Sequence, residues 1–469
     1  DTDNWIWPRH TGDFSMFRVY ASKDNRPAAY SPQNVPYRPK KHFSISTKGV
    51  KEGDFTMIYG FPGNTQEYIL SDAVAYIAER SDPAKIAVRT GRLDIITKAQ
   101  ESDPALRIHY AAKHASIANA WKKWQGEALG IDRRGTVAAK FDYETQFGLW
   151  SVGRPEYAGV VMGLRAEYDR IMDAYFAYEI TRETLSTLPA AYTPEERSEE
   201  CFARRKFAEQ ALWRHAFREY GRCPKVYRTP SYAEGMARYK SPEAYADALF
   251  EAVWEGSDSV AMQPAVRLRE ETKRMLDHIS WMLGTKSLRN LNSKILNELY
   301  TTYIKGLREW DRERAFYPDA NLTLRVAYGS VAGYEYADGE YHKPQTTLDG
   351  IIAKDNPEIY DYDIPQSLRD LYASKNYGRW GTVIDGRRTV PVCFLATNHT
   401  TGGNSGSPVL NAGGELIGIN FDRTWRSTMS DLQFDPAICR NIAVDIRYVL
   451  FTIDRIGGAE YLLKEMELR

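Results

Sequence analysis

The hydrophobic period of this chain changes twice, and those two changes constrain the fold more than any single motif does. Before Phe61-Pro62-Gly63-Asn64, the β-forming runs Phe17-Arg18-Val19-Tyr20 and Phe55-Thr56-Met57-Ile58-Tyr59-Gly60 flank a Pro- and Asn-rich passage through Pro27, Pro32, Pro36 and Pro39. Beyond it, apolar residues recur at three- and four-residue spacing, which predicts helices over 68–80, 86–100, 105–125, 155–185, 194–220, 241–254, 265–283 and 291–316. Asn64 with Glu67 reads as a capping box opening the first of them. Strand texture returns at Leu322-Thr323-Leu324-Arg325-Val326-Ala327-Tyr328 and resumes at 390–395, 414–421 and 441–446. Short helical passages are expected near 348–353 and 366–373, and an amphipathic helix in two parts, 447–456 and 461–468, closes the chain. The helical pieces share no fixed repeat, which disfavours a solenoid. Their aromatics, such as Tyr157, Tyr168, Tyr175 and Phe176, read as packing residues. The expected organisation is a β-rich segment 1–62, a helical insertion 63–318 and a second β segment 319–469, an α+β chain.

Within the last segment, Thr400-Thr401-Gly402-Gly403-Asn404-Ser405-Gly406-Ser407-Pro408-Val409-Leu410 sets a serine between glycines at the mouth of a predicted strand. A nucleophilic serine needs tight backbone geometry, so that its own N–H and that of a nearby glycine can point at one developing oxyanion. Ser405 fits that need. The apolar strand that follows an Asn-Ala-Gly-Gly turn is how a serine-protease barrel builds a pocket wall. The same residues also suit an ordinary Gly-rich hairpin, so the motif needs its context.

Composition narrows the partners. The 469 residues are 43% hydrophobic and 26% charged, enough to bury large cores in two or three domains. Lys plus Arg balances Asp plus Glu at 62 each, so no bulk field favours nucleic acid or an anionic membrane. No window approaches the roughly 18 apolar residues of a membrane helix, and no charged-then-apolar secretory leader is evident. Cys201, Cys223, Cys393 and Cys439 lack C-x-x-C spacing and paired histidines, which argues against a zinc site; no metal or other cofactor is expected. Disulfides and buried free thiols both remain open for the four.

The opening residues Asp1-Thr2-Asp3-Asn4-Trp5-Ile6-Trp7-Pro8-Arg9-His10-Thr11-Gly12-Asp13-Phe14, taken with Gly-Asn-Ser-Gly-Ser-Pro, sharpen the reading. Together with the strand–helix–strand order they resemble the bacterial dipeptidyl aminopeptidases that combine a chymotrypsin fold with an inserted helical domain. The resemblance implies a chymotrypsin-like antiparallel β-barrel, the second barrel plus part of the first. It implies that Ser405 is the nucleophile, Asp13 the triad carboxylate, and the N–H groups of Gly403 and Ser405 the oxyanion hole. It further implies that Asn4, Asn119 and Asp422 hold the free amino terminus of a peptide substrate, with Trp5 and Arg9 lining that end of the cleft. Amide and carboxylate oxygens are the acceptors an ammonium requires. Asp3 reads as structural, and residues alone would place Asn119 on a polar helix face. A homodimer in the periplasm or at the cell surface is also implied.

A triad needs an imidazole between Asp and Ser. His10 lies inside the aspartate motif, His399 six residues before Ser405, and His114 on a predicted helix; His42, His109, His215, His278 and His342 have no motif. None of the eight is expected to be catalytic, and the base is expected in a segment preceding Asp1. Neighbours on an extended strand point to opposite sides, so Asp422 and Arg423 should serve different pockets. With Asp422 on the amine, Arg423 can face the primary specificity pocket and pair with a substrate carboxylate. Among its relatives the chain thus resembles the Asp/Glu-specific branch, with the hydrophobic-specific branch of the same family as the alternative. An exposed Asp422–Arg423 pair, a pseudo-protease that binds peptides without cutting, and a helical scaffold with an incidental loop are the competing readings.

Overall fold

The computed structural model describes residues 2–256, 258–284 and 291–469. It divides into two compact units: Asp1–Glu67 with Asp319–Arg469, and Tyr68–Pro318.

The first unit is built on one seven-stranded antiparallel sheet. Its strands are β1 (Phe55–Gly60), β2 (Arg325–Ser330), β3 (Gln345–Thr347), β4 (Pro391–Ala396), β5 (Ser407–Leu410), β6 (Leu416–Arg423) and β7 (Asn441–Asp445). Their spatial order is β2-β1-β5-β6-β7-β4-β3, and the sheet curls into a half-barrel of the chymotrypsin type. β1 pairs with β2 from Phe55↔Ser330 to Gly60↔Arg325 and, on its other edge, with β5 through Val409↔Ile58. A strand from one side of the helical insertion is thus sandwiched between two from the other side. Ile58, Val331, Phe394, Val409, Ile417 and Ala443 form a buried cluster of this unit. β4 is buried at every position, as expected of a strand covered on both faces. Gly418 of β6 is required by close approach: a Cβ there would lie 2.7 Å from the Phe394 ring and 2.7 Å from Val444 O.

Between β6 and β7 the register skips from Asn420↔Ala443 to Asp422↔Ile442. Phe421 is therefore the extra residue of a β-bulge, a device that re-aims the side chains after it. The expected extended stretch at Phe17 reduces to the two-residue strand Tyr20–Ala21, paired with Val35–Pro36. The closing helix is shorter than expected: Ile446–Phe451 runs into a π-turn, Thr452–Ile456, and only Glu460–Leu463 follows.

The second unit is helical and has its own aromatic core, in which Tyr157, Tyr168, Tyr175 and Phe176 are buried. Its opening departs from the expected capping box. The first helix is Ser71–Tyr76, its N-cap residue Leu70 supplies no side-chain cap, and Glu67 instead accepts from Phe434 N at 3.2 Å. Two helices, Thr136–Ser151 and Pro230–Tyr239, occupy stretches where none was expected, and the span 194–220 is broken between Pro194–Ser198 and Lys206–Tyr220. All four cysteines are buried free thiols. Among the described residues no helix is long and apolar enough to cross a membrane.

Candidate active site

The Ser405 loop joins β4 to β5 and is shaped by two left-handed glycines, Gly403 (φ +105°) and Gly406 (φ +81°). Gly403 is also wedged: a Cβ there would meet Phe61 O at 2.3 Å. The loop is braced from β1's end of the sheet by Gly63 N donating to Gly402 O at 2.6 Å. Inside the loop, Thr401 N donates to Asn404 Oδ1 (3.1 Å) and Asn404 N to Thr401 O (3.0 Å). From beneath, Gly406 N donates to Asn420 O (2.8 Å), Asn420 Nδ2 to Asn404 O (3.1 Å), and Asn441 Nδ2 to Asn420 Oδ1 (2.9 Å). Buried amides thus tie the loop to β6 and β7. Among the described residues nothing accepts from the N–H groups of Gly403 and Ser405. Two unspent donors flanking an exposed serine are what an oxyanion site requires.

Ser405 Oγ has one hydrogen bond among the described residues, to Phe421 O at 3.5 Å. No histidine there bonds to it. His399 offers Nε2 to Ser430 O (3.1 Å) and stacks on Phe434. His10 packs against Gly350. Burial pushes both rings down to about 4, with Arg423 adding to the effect at His399 and Lys354 at His10. Asp13 is exposed on an extended passage and has no hydrogen-bond partner among the described residues. Its neighbours Thr11 and Gly12 lie against Cys393 and against Tyr448 and Val444.

The residue after Phe421 anchors a second polar group. Asp422 Oδ2 accepts from Trp5 N (2.9 Å) and Arg9 Nη1 (3.3 Å), and its Oδ1 from Arg423 N (2.8 Å). With its amide oriented to satisfy both ends, Asn4 donates to Asp422 Oδ2 (3.3 Å) and accepts from Trp5 Nε1 (3.2 Å). Arg9 also reaches Asp3 O and Thr11 Oγ1, and its guanidinium lies 5.2 Å from the Phe421 ring centre. Burial raises the Asp422 pKa, against the opposing pull of Arg9 and the backbone N–H donors. Asp3 is buried on Lys354 and Tyr362, the structural role expected of it. The structure therefore gathers Asn4, Trp5, Arg9 and Asp422 into one cluster. Asn119 lies in the other unit, on the helix Pro104–Arg133.

Arg423 does not pair its side chain with Asp422 and does not face open space: its guanidinium lies 5.5 Å from the Trp5 ring centre, at the border of that cluster. It is 4% exposed. Its Nη1 and Nη2 form a fork on Asp431 at 2.6 and 2.8 Å, and Nη1 also reaches Ser430 Oγ (2.8 Å) and Thr400 O (3.3 Å). Asp431 and Ser430 were not singled out in the sequence, where neither stands in a motif. The supporting amides Asn404, Asn420 and Asn441 were also missed. Asn in the interior of a predicted strand, where it is disfavoured, was a signal that could have found Asn420.

A half-barrel presenting a serine between left-handed glycines, beside two open N–H donors, defines the chymotrypsin class of serine peptidases. The comparisons make this particular. The sequence matches the Peptidase S46 family over residues 1–193 and 195–468, and the chain belongs to that family. It is 40% identical to the Asp/Glu-specific dipeptidyl-peptidase of Capnocytophaga gingivalis, covering 100% of this chain and 71% of that protein. It is 41% identical to the protein of the same name from Flavobacterium psychrophilum (strain ATCC 49511 / DSM 21280 / CIP 103535 / JIP02/86), covering 100% and 70%. The crystal structure of Porphyromonas endodontalis DPP11 in complex with dipeptide Arg-Glu superposes with a TM-score of 0.84 at 33% identity, over 100% of this chain and 72% of that one.

Proposed function

We propose that this chain carries the serine centre of a peptidase that releases dipeptides from the free amino end of peptides, cutting after Asp or Glu. One observation carries the reading: the serine and the buried carboxylate are tied to adjacent residues of one strand. Ser405 Oγ bonds to Phe421 O, and the next residue, Asp422, holds the polar cluster. An extended chain advances about 3.3–3.6 Å per residue, so a fixed acceptor for the ammonium also fixes which carbonyl meets the serine. The names of the two relatives support both the dipeptide product and the acidic preference.

In this mechanism Asp422, with Asn4, accepts the substrate ammonium while Trp5 and Arg9 shape that end of the cleft. Ser405 Oγ attacks the second carbonyl, and the N–H groups of Gly403 and Ser405 take up the oxyanion charge. A general base, oriented by Asp13, takes the serine proton and returns it to the leaving amine; water then hydrolyses the dipeptidyl ester on Ser405, releasing the free dipeptide and restoring the serine hydroxyl. Arg423 selects an acidic side chain next to the cut. A homodimer and a periplasmic or cell-surface location belong to the same reading, and sedimentation and cell fractionation test them.

The test uses the complete polypeptide and dipeptidyl reporters varied at the residue before the cut. Asp and Glu reporters should be cleaved fastest, acetylation of their amino end should abolish cleavage, and Ser405→Ala should leave no serine-dependent turnover. Cleavage of acetylated or internal sites would mean an endopeptidase. Binding without any turnover would mean a pseudo-protease.

A further inference from the structure

The fork of Arg423 is already filled by a carboxylate of the same chain. Asp431 ends the 3-10 stretch Trp425–Asp431, is 9% exposed, and is held in place by its own backbone, whose O accepts from Gln66 N at 2.6 Å. Its two oxygens take Nη1 and Nη2 in the planar geometry that a substrate Asp or Glu would seek. His399, whose ring feels both charges of the pair, is held neutral by burial and by Arg423 itself, so it adds no charge to the pair. Glu67 Oε1 stands 3.9 Å from His399 Nδ1 and brings no positive charge. With Asp431 on its fork and the Asp422 carboxylate of the neighbouring residue also acting on it, Arg423 is a neutralised cation rather than a lone one. A guanidinium in that state attracts an incoming carboxylate much less than a lone buried cation does, and a second carboxylate on it is repelled by the first.

We propose that Asp431 is a specificity-determining residue that acts through Arg423, attenuating the enzyme's preference for acidic side chains by neutralising the residue that recognises them. This rests on the assignment of Arg423 to the specificity pocket in the proposed function. Acidic side chains are accepted by sharing or exchanging the guanidinium with Asp431. Apolar side chains are tolerated because the guanidinium they pack beside is already paired and is not stranded without a counter-charge.

The experiment compares Asp and Glu reporters with Leu and Met reporters on four complete proteins: the parent, Asp431→Asn, Arg423→Ala, and the Arg423→Ala/Asp431→Asn double variant. Asp431→Asn should raise the acidic-to-apolar ratio of kcat/KM at least fivefold, mainly through a lower KM for acidic reporters. A dipeptide ending in Glu should inhibit it correspondingly more strongly. In the Arg423→Ala background, Asp431→Asn should leave the ratio unchanged, since the cation it acts through is gone. A fall in the ratio in Asp431→Asn would overturn the inference, making Asp431 a clamp that positions Arg423. An unchanged ratio in Asp431→Asn would overturn it as well. A ratio unaltered by Arg423→Ala would instead overturn the assignment of Arg423, a different failure. If Asp431→Asn does not fold, Asp431→Ser, which also removes the charge and keeps a hydrogen-bonding group, goes through the same comparison: a ratio raised at least fivefold supports the inference, and an unchanged or lower ratio overturns it.

Discussion

Asp422 is a buried carboxylate whose charge is costly. Burial raises its pKa above the ordinary carboxylate value, so its charged form destabilises the fold, and that contribution worsens as pH rises through the window between the unfolded and folded values. Function has the opposite sign, because only the ionised form accepts an ammonium well. Substrate KM should therefore climb on acidification at a higher pH than an ordinary carboxylate would give. Asp422→Asn should remove that limb from the pH profile and lower kcat/KM by about 2–5 kcal/mol, roughly thirty-fold to several thousand-fold. His10 and His399 present the reverse case: burial pushes both down to about 4, so near neutrality they are uncharged packing groups. His10→Gln and His399→Gln should each keep the near-neutral limb of the pH–rate profile set by the base that serves Ser405. Loss of that limb in either variant would identify that ring as the base.

At the scale of elements, the nucleophile loop depends on the strands under it. Asn420 on β6 joins Asn404 above to Asn441 below through buried side-chain bonds. Asn420→Ala strands Asn404 O and the Asn441 amide without their partner, which should cost about 1–3 kcal/mol of stability. It should also lower kcat more than it raises KM, because the loop geometry, and not the ammonium site, is what loosens; thermal melts and steady-state kinetics read the two effects separately. Much of this architecture was legible in the sequence. Strands with clean β-forming runs, such as β1 and β4, fall where expected, and so does the serine loop at the mouth of β5. The helix Thr136–Ser151 was not legible because its inward face is polar: Thr136, Glu144 and Ser151 are buried along with Phe147, and Glu144 accepts from Ser71 N and Oγ and from Arg165. Apolar periodicity cannot show such a face. The fork between Arg423 and Asp431 was hidden for another reason, since the seven residues of 3-10 turn carry no period that would bring two charges together.

At the scale of the whole molecule, the two units are built with different degrees of independence. The helical unit Tyr68–Pro318 is continuous in sequence, owns an aromatic core, and has its ends tied by Tyr68 Oη donating to Tyr317 O. Expressed alone, it should fold to a helical protein with a cooperative thermal transition; a non-cooperative melt by circular dichroism would show that it leans on the sheet. The half-barrel has no such freedom. β1 lies between β2 and β5, both of which come after the entire helical unit in the chain. During synthesis, β1 leaves the ribosome with neither neighbour yet made, and both its edges stay unpaired until the second β segment arrives. The nascent chain must therefore carry an exposed strand, an open template for wrong pairing, for as long as the helical unit takes to be translated. The active serine, which lies beyond that point, can form its loop only after the wait is over.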